Sequence, residues 1–141
     1  MDSKATLILL AFGLVCVLQV NPAQATNTHV RQLLQAFRKI DLDTTKKSFY
    51  IHNVKYGIQV HLREPLMKVV GAFPESAKLS DACLSRMVKE VDEIELTFYA
   101  KFSYHCVDHP QYSVECMEAA QPEYNTSLMK LATTTKSCLR Q

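Results

Sequence analysis

The 141-residue sequence predicts an all-α fold, a disulfide-stapled helical bundle whose C-terminal part is an antiparallel helical hairpin. Three observations carry this expectation. A long apolar stripe at helical spacing runs from Asp81 to Cys106. Four cysteines remain once an N-terminal leader is set aside. Strand-like alternation is confined to one short stretch, with no second segment to pair with it.

The leader comes first in the chain. Lys4 precedes an apolar run from Ala5 to Val20, Pro22 breaks it, and Ala23-Gln24-Ala25 follows as a small-x-small triplet. Charged start, short apolar core and small-residue cleavage site are the order of a secretory signal peptide. A spanning helix needs about 20 apolar residues, more than this run supplies. The expected organisation is therefore a signal peptide over 1–25 and a single helical domain over 26–141, secreted, extracellular and without a membrane span.

The helix beginning at Asp81 reads most clearly. Leu84, Met87, Val88, Val91, Ile94, Phe98, Phe102 and Cys106 recur at steps of three and four, with charged residues between them. Ser80 and Asp81 offer capping side chains. Asp92, Glu93 and Glu95 form a carboxylate cluster that this pattern assigns to the solvated face. Pro110 and its neighbours break the helix. Spacing then resumes weakly at Val114, Met117 and Ala120, and strongly at Tyr124, Leu128, Leu131, Thr135 and Cys138, with Pro122 expected to start or kink the second helix.

Disulfide pairing follows from these two helices. Cys16 lies inside the leader; Cys83, Cys106, Cys116 and Cys138 remain, an even number in a secreted domain. Cys83 and Cys106 are 23 positions apart, about 35 Å along a helix, while bridged Cα atoms lie roughly 4.4–6.8 Å apart. That pairing is excluded. The pairing of Cys83 with Cys116 requires parallel helices, which so short a connection disfavours. Nested bridges, Cys106–Cys116 inside Cys83–Cys138, are the expected arrangement.

Upstream, Val30, Leu33, Leu34, Phe37 and Ile40 form an amphipathic stripe with Thr28 as its cap, and Asp41 to Thr45 read as a turn. From Phe49 to Leu62 the residues satisfy both strand alternation and helical spacing; helix is preferred because a strand has no partner. Glu64-Pro65 marks a break or a new first turn, and Gly71 to Lys78 the link between the halves.

Net charge is only +2, which gives no nucleic-acid footprint. It is unevenly spread. Residues 26–80 hold nine basic and four acidic side chains, residues 81–141 six and nine. Complementary packing of the two halves is the simpler account, a basic face for an anionic partner the other.

No catalytic constellation emerges, so the protein is not expected to be an enzyme and no cofactor is implied. His105 and His109 flank Cys106, yet no second close ligand pair completes a zinc pattern; His29, His52 and His61 are isolated. No glycine-rich phosphate loop or G-x-S-x-G context is present. Asn125-Thr126-Ser127 is an N-glycosylation sequon, making Asn125 a candidate glycan site.

The C-x(22)-C-x(9)-C-x(21)-C framework resembles small four-cysteine secreted insect proteins, most of all fruit-fly male accessory-gland (seminal-fluid) proteins. Tyr112-Ser113-Val114-Glu115-Cys116 and Lys136-Ser137-Cys138-Leu139 are similar to tsetse midgut EP-type proteins. The resemblance implies a reproductive role, in the post-mating response or sperm storage, through binding a receptor or a sperm or female-tract surface. Two alternatives stand beside it. One is an extracellular carrier of a small apolar ligand, with Phe37, Phe49, Phe73, Phe98, Phe102 and the tyrosines lining a cavity; the other is a gut or haemolymph defence protein.

Overall fold

A computed structural model describes residues 27–106 and 113–140. The expected leader, and the turn containing His109 and Pro110, lie outside the described residues. Five α-helices follow one another: α1 (Thr28–Arg38), α2 (Ser48–Ile58), α3 (Glu64–Gly71), α4 (Asp81–Cys106) and α5 (Ser113–Cys138). A π turn, Gln59–Arg63, joins α2 to α3 without a break. The molecule is thus a bundle of four helical rods, and no strand occurs among the described residues.

The ambiguous stretch is helical. Val54, Ile58, Leu62, Leu66 and Val70 are all buried, and these four-residue steps are the helical ones. Strand alternation in the sequence came from chance apolar residues such as Tyr56, which is 58% exposed. Pro65 explains the π turn. Its ring clashes with a carbonyl four residues back, and it has no N–H to donate. The turn before it widens, so that the backbone N–H of Glu64 bonds the Gln59 carbonyl five residues earlier. The rod survives proline by changing register.

The two long helices α4 and α5 pack antiparallel. Cys83 and Cys138 are bonded at one end with Cα atoms 5.7 Å apart, and Cys106 and Cys116 at the other with 5.9 Å. Both separations fall in the range a bridge tolerates. The open end is closed further by backbone contacts. Ser80 N–H donates to the Leu139 carbonyl at 2.8 Å, Leu79 N–H donates to Gln32 Oε1 at 3.1 Å, and Leu79 and Leu139 are both buried. Ser80 also caps α4, its Oγ accepting from the Cys83 N–H at 3.2 Å. α1 starts one residue after Asn27, which holds the cap position; Thr28 is already helical. α5 starts at Ser113 and runs through Pro122, which sits on the exposed side.

The α2–π–α3 rod lies against this hairpin and approaches it closely at Gly57. A Cβ on Gly57 would stand 2.6 Å from Tyr124 Cε1, so only glycine lets the tyrosine ring lie flat there. Tyr124 then donates to the Val54 carbonyl at 2.8 Å and stacks on Phe98 with centroids 4.3 Å apart. Tyr50 stacks on Phe102 at 5.2 Å and packs against Phe98 at 5.3 Å. Phe98 and Phe102 therefore pack with two tyrosines in the core.

Candidate interaction surface

One of the three carboxylates assigned to the wet face of α4 is buried. Glu95 is 7% exposed, while Glu93 is exposed and Asp92 half-buried. Along α4 the buried positions run Val91, Glu95, Phe98, Phe102, so Glu95 occupies a core position and Ile94 is left partly out. A buried carboxylate must find donors. Tyr50 donates its hydroxyl to Glu95 Oε1 at 2.7 Å, and Lys46 reaches the same oxygen at 2.8 Å. The Lys46 ammonium also lies 4.0 Å from the Tyr99 ring centroid, a favourable cation–π position. Burial, then the hydrogen bond to Glu95, pushes the Tyr50 hydroxyl well above its ordinary value; burial does the same to Tyr124.

This latch pins the segment between α1 and α2 onto α4. The segment is itself folded by short-range bonds: Ile40 N–H donates to the Phe37 carbonyl at 3.2 Å, and Thr45 N–H to Asp43 Oδ1 at 3.0 Å. The Thr45 hydroxyl, and after it this backbone bond, hold the exposed Asp43 carboxyl below its usual range. Two grooves of opposite sign flank the segment, and Leu42 lines both. The first, toward α4, is acidic, with Asp41, Asp43 and Asp92 beside Leu96. Burial, with the nearby Glu95 and Asp41 carboxylates adding to it, raises the Asp92 carboxyl. The second, toward α2, has an apolar floor of Phe37, Ile40, Leu42 and Ile58 and a rim of Lys55 and Arg63.

Lys46–Glu95 is an ion pair that links the two halves.

The remaining candidates are scattered. His29 is fully buried with its ring 6.5 Å from Phe73. His52 is exposed on α2 and His61 half-buried in the π turn; His105 belongs to the last turn of α4. No group of three or more metal-ligating side chains occurs among the described residues, nor any helix long and apolar enough to cross a membrane. Asn125 lies on α5, half-buried. Sequence reasoning missed the Tyr50–Glu95–Lys46 latch. Its one available signal was a lone Glu at a heptad position between Val91 and Phe98, and reading it required knowing what lies opposite.

Comparison with known proteins places the chain. The family model described as aegyptin, C-terminal domain, matches residues 23–139. A gSG7 salivary protein of Anopheles stephensi is 52% identical over the whole chain and 99% of its own length. One from Anopheles darlingi is 50% identical over the full length of both. Among solved structures, a mosquito complement inhibitor from Anopheles freeborni superposes with a TM-score of 0.75 at 50% identity, covering 80% of this chain and 95% of that one. An anophensin from Anopheles stephensi gives 0.63 at 54% identity, covering 81% and 97%. These findings overturn the resemblance to seminal-fluid proteins and the reproductive role it implied. Four cysteines on a helical hairpin are a solution open to many secreted proteins, and spacing alone cannot tell one family from another. Secretion itself agrees with salivary relatives. The chain belongs to the gSG7 salivary protein family of Anopheles mosquitoes, within the aegyptin C-terminal domain family.

Proposed function

We propose that this chain is a non-enzymatic salivary inhibitor that acts on the bitten host by binding a protein of the complement system. The observation that carries the reading is its 50% identity with the Anopheles freeborni complement inhibitor over 95% of that chain, at a TM-score of 0.75. The build of the molecule suits binding. Bridges close both ends of the hairpin, and a rigid scaffold loses little entropy when a partner docks. An inhibitor of this kind works by occupying a surface that the host proteins need, which requires stable recognition and no bond chemistry. Glycosylation at Asn125 belongs to the same proposal, since secretion brings the sequon past the transferase; a mass decrease on enzymatic deglycosylation supports it, and an unchanged mass removes it.

The test is lysis of antibody-sensitised and of unsensitised target erythrocytes by human serum, with added purified protein. Dose-dependent protection supports the reading and shows which activation route is blocked. Full lysis at micromolar protein, with the fold intact by circular dichroism, rejects it.

A further inference from the structure

The groove between α1 and α2 joins two features that a solvated surface seldom places together. Phe37, Ile40 and Leu42 are each partly buried and packed at the core's edge, with Ile58 beneath them. An apolar floor of this kind stays in contact with water unless something covers it. Above it stand two cations without a carboxylate. Lys55 is exposed, and neither it nor Arg63 lies within ion-pair distance of an acidic side chain among the described residues. Arg63 is steadied instead by the Gln59 side-chain oxygen, 3.4 Å from its Nη1, while Gln59 in turn donates to Glu64 at 3.5 Å.

The π turn sets this arrangement. Steps of four residues drift forward around an α-helix, because a turn takes 3.6. The wider π turn reverses that drift, so Lys55, Gln59 and Arg63 line one wall of one groove. Among the described residues no acidic side chain lines it, so an occupant meets positive charge over an apolar bed.

We infer that the groove formed by Phe37, Ile40, Leu42, Ile58, Lys55 and Arg63 docks an acidic–apolar segment of the host protein partner, one or two aliphatic or aromatic side chains flanked by carboxylates. Charge complementarity selects the sign of the partner. Size selects its class. The groove holds about 250 Å³ and is open to solvent, whereas sites that enclose small molecules run from about 300 Å³ upward and bury most of the ligand. A fatty acid would leave most of its chain in water here; side chains projecting from a protein surface would not. Arginine and aromatic side chains on a dry floor are also the usual anchors of protein interfaces. The identity of the partner as a complement protein rests on the function proposed above; the chemistry of the groove does not.

The experiment uses the full secreted chain and three forms of it: wild type, Lys55→Glu/Arg63→Glu, and a control of equal charge change away from the groove, Lys68→Glu/Lys78→Glu. Each is titrated against a fluorescein-labelled peptide alternating glutamate and leucine, against glutamate–serine and lysine–leucine counterparts, and in the serum lysis assay. Circular dichroism and Tm verify that all three fold alike. The glutamate–leucine peptide is expected to bind wild type and the control alike, and the groove variant about tenfold or more weakly, with affinity falling as salt rises. Both counterpart peptides bind wild type at least about tenfold more weakly. Equal peptide binding by wild type and the groove variant overturns the inference. Displacement of the peptide by oleate or by phosphatidylserine vesicles at lower concentration than by unlabelled peptide also overturns it, in favour of an amphiphile or a membrane. If the peptide behaves as expected and serum lysis is untouched by every form, the complement reading falls and the groove stands. If wild type and groove variant protect erythrocytes equally, the groove falls and the complement reading stands.

Discussion

The two halves of this bundle are held by different means. The C-terminal hairpin, α4 and α5, is closed covalently at both ends, and its helices meet along their length. The N-terminal half, α1 through α3, has no cysteine. It is attached by the Gly57–Tyr124 approach, by aromatic stacking on Phe98 and Phe102, and by a buried ion pair from Lys46 to Glu95. Bridges are insensitive to small changes in packing, while a polar latch and a glycine contact depend on single atoms. The difference teaches where the molecule is tuned. The hairpin is a frame, and the half that carries the charged grooves is fitted to it by contacts that substitution can adjust.

Breaking the frame should cost most. A Cys83→Ala/Cys138→Ala variant opens a loop of 55 residues and should lose about 4 kcal/mol, against about 3 kcal/mol for Cys106→Ala/Cys116→Ala, which opens one of 10. Denaturant unfolding of both variants measures the order, and mapping of disulfide-linked peptides from the unreduced protein checks the pairing. A reversed order would show that the long bridge does not restrain the unfolded chain as supposed.

Breaking the latch comes next. Lys46→Met leaves a buried carboxylate with one donor and should cost about 3 kcal/mol, in keeping with the removal of one partner from a buried pair. Adding Glu95→Leu should recover part of this, since the charge is gone although Tyr50 loses its acceptor. A single variant within about 0.5 kcal/mol of wild type, the range of ordinary surface changes, would mean that the latch contributes nothing to attachment.

Gly57→Ala sets two effects against each other. Alanine gains about 1 kcal/mol of helix propensity over glycine. Overpacking costs about 1–3 kcal/mol, and the Tyr124 ring is fixed by its bond to the Val54 carbonyl and its stack on Phe98, so it cannot swing aside. A net loss of about 1 kcal/mol is expected. A gain in Tm would show that the ring yields.

The smallest effect belongs to the acidic groove. Asp92 has its carboxyl raised by burial and by neighbouring carboxylates, so the charged form penalises the native state above the folded pKa. As pH falls through that value the penalty disappears. Asp92→Asn should therefore be more stable than wild type at neutral pH by a few tenths of a kcal/mol, solvent screening keeping it small, and equal to it by about pH 3. Thermal melts across pH read this directly; an advantage that grows on acidification would reverse the assignment.

Much of the frame was legible because it is written in short-range pattern. The stripe from Leu84 to Phe102 marks α4 by spacing alone, and Ser80 announces its start. The same logic went only part of the way in α2, where Val54, Ile58 and Leu62 fit two periods and the absence of a strand partner had to decide. Pro122 does not start the second helix, for a related reason. A proline signals a missing N–H, yet on the exposed side of a long, well-packed helix that loss is tolerated and α5 runs through it. The family was not legible, because cysteine spacing reports how a hairpin is stapled and says nothing of what its surface meets.

By itself, then, the sequence determined a helical, cysteine-closed bundle, since helical periodicity and chain geometry are properties of neighbours along the chain. Only the tertiary structure decided that Glu95 turns inward and Ile94 partly outward, for a helical step of three or four after Val91 permits either. The donors that settle it, Tyr50 and Lys46, lie 45 and 49 residues away. It likewise decided that Lys55 and Arg63 would stand over an apolar floor, with no acidic side chain in ion-pair reach among the described residues. Charge is a sum over the sequence, but neutralisation requires contact within a few ångströms, and contact is what folding alone assigns.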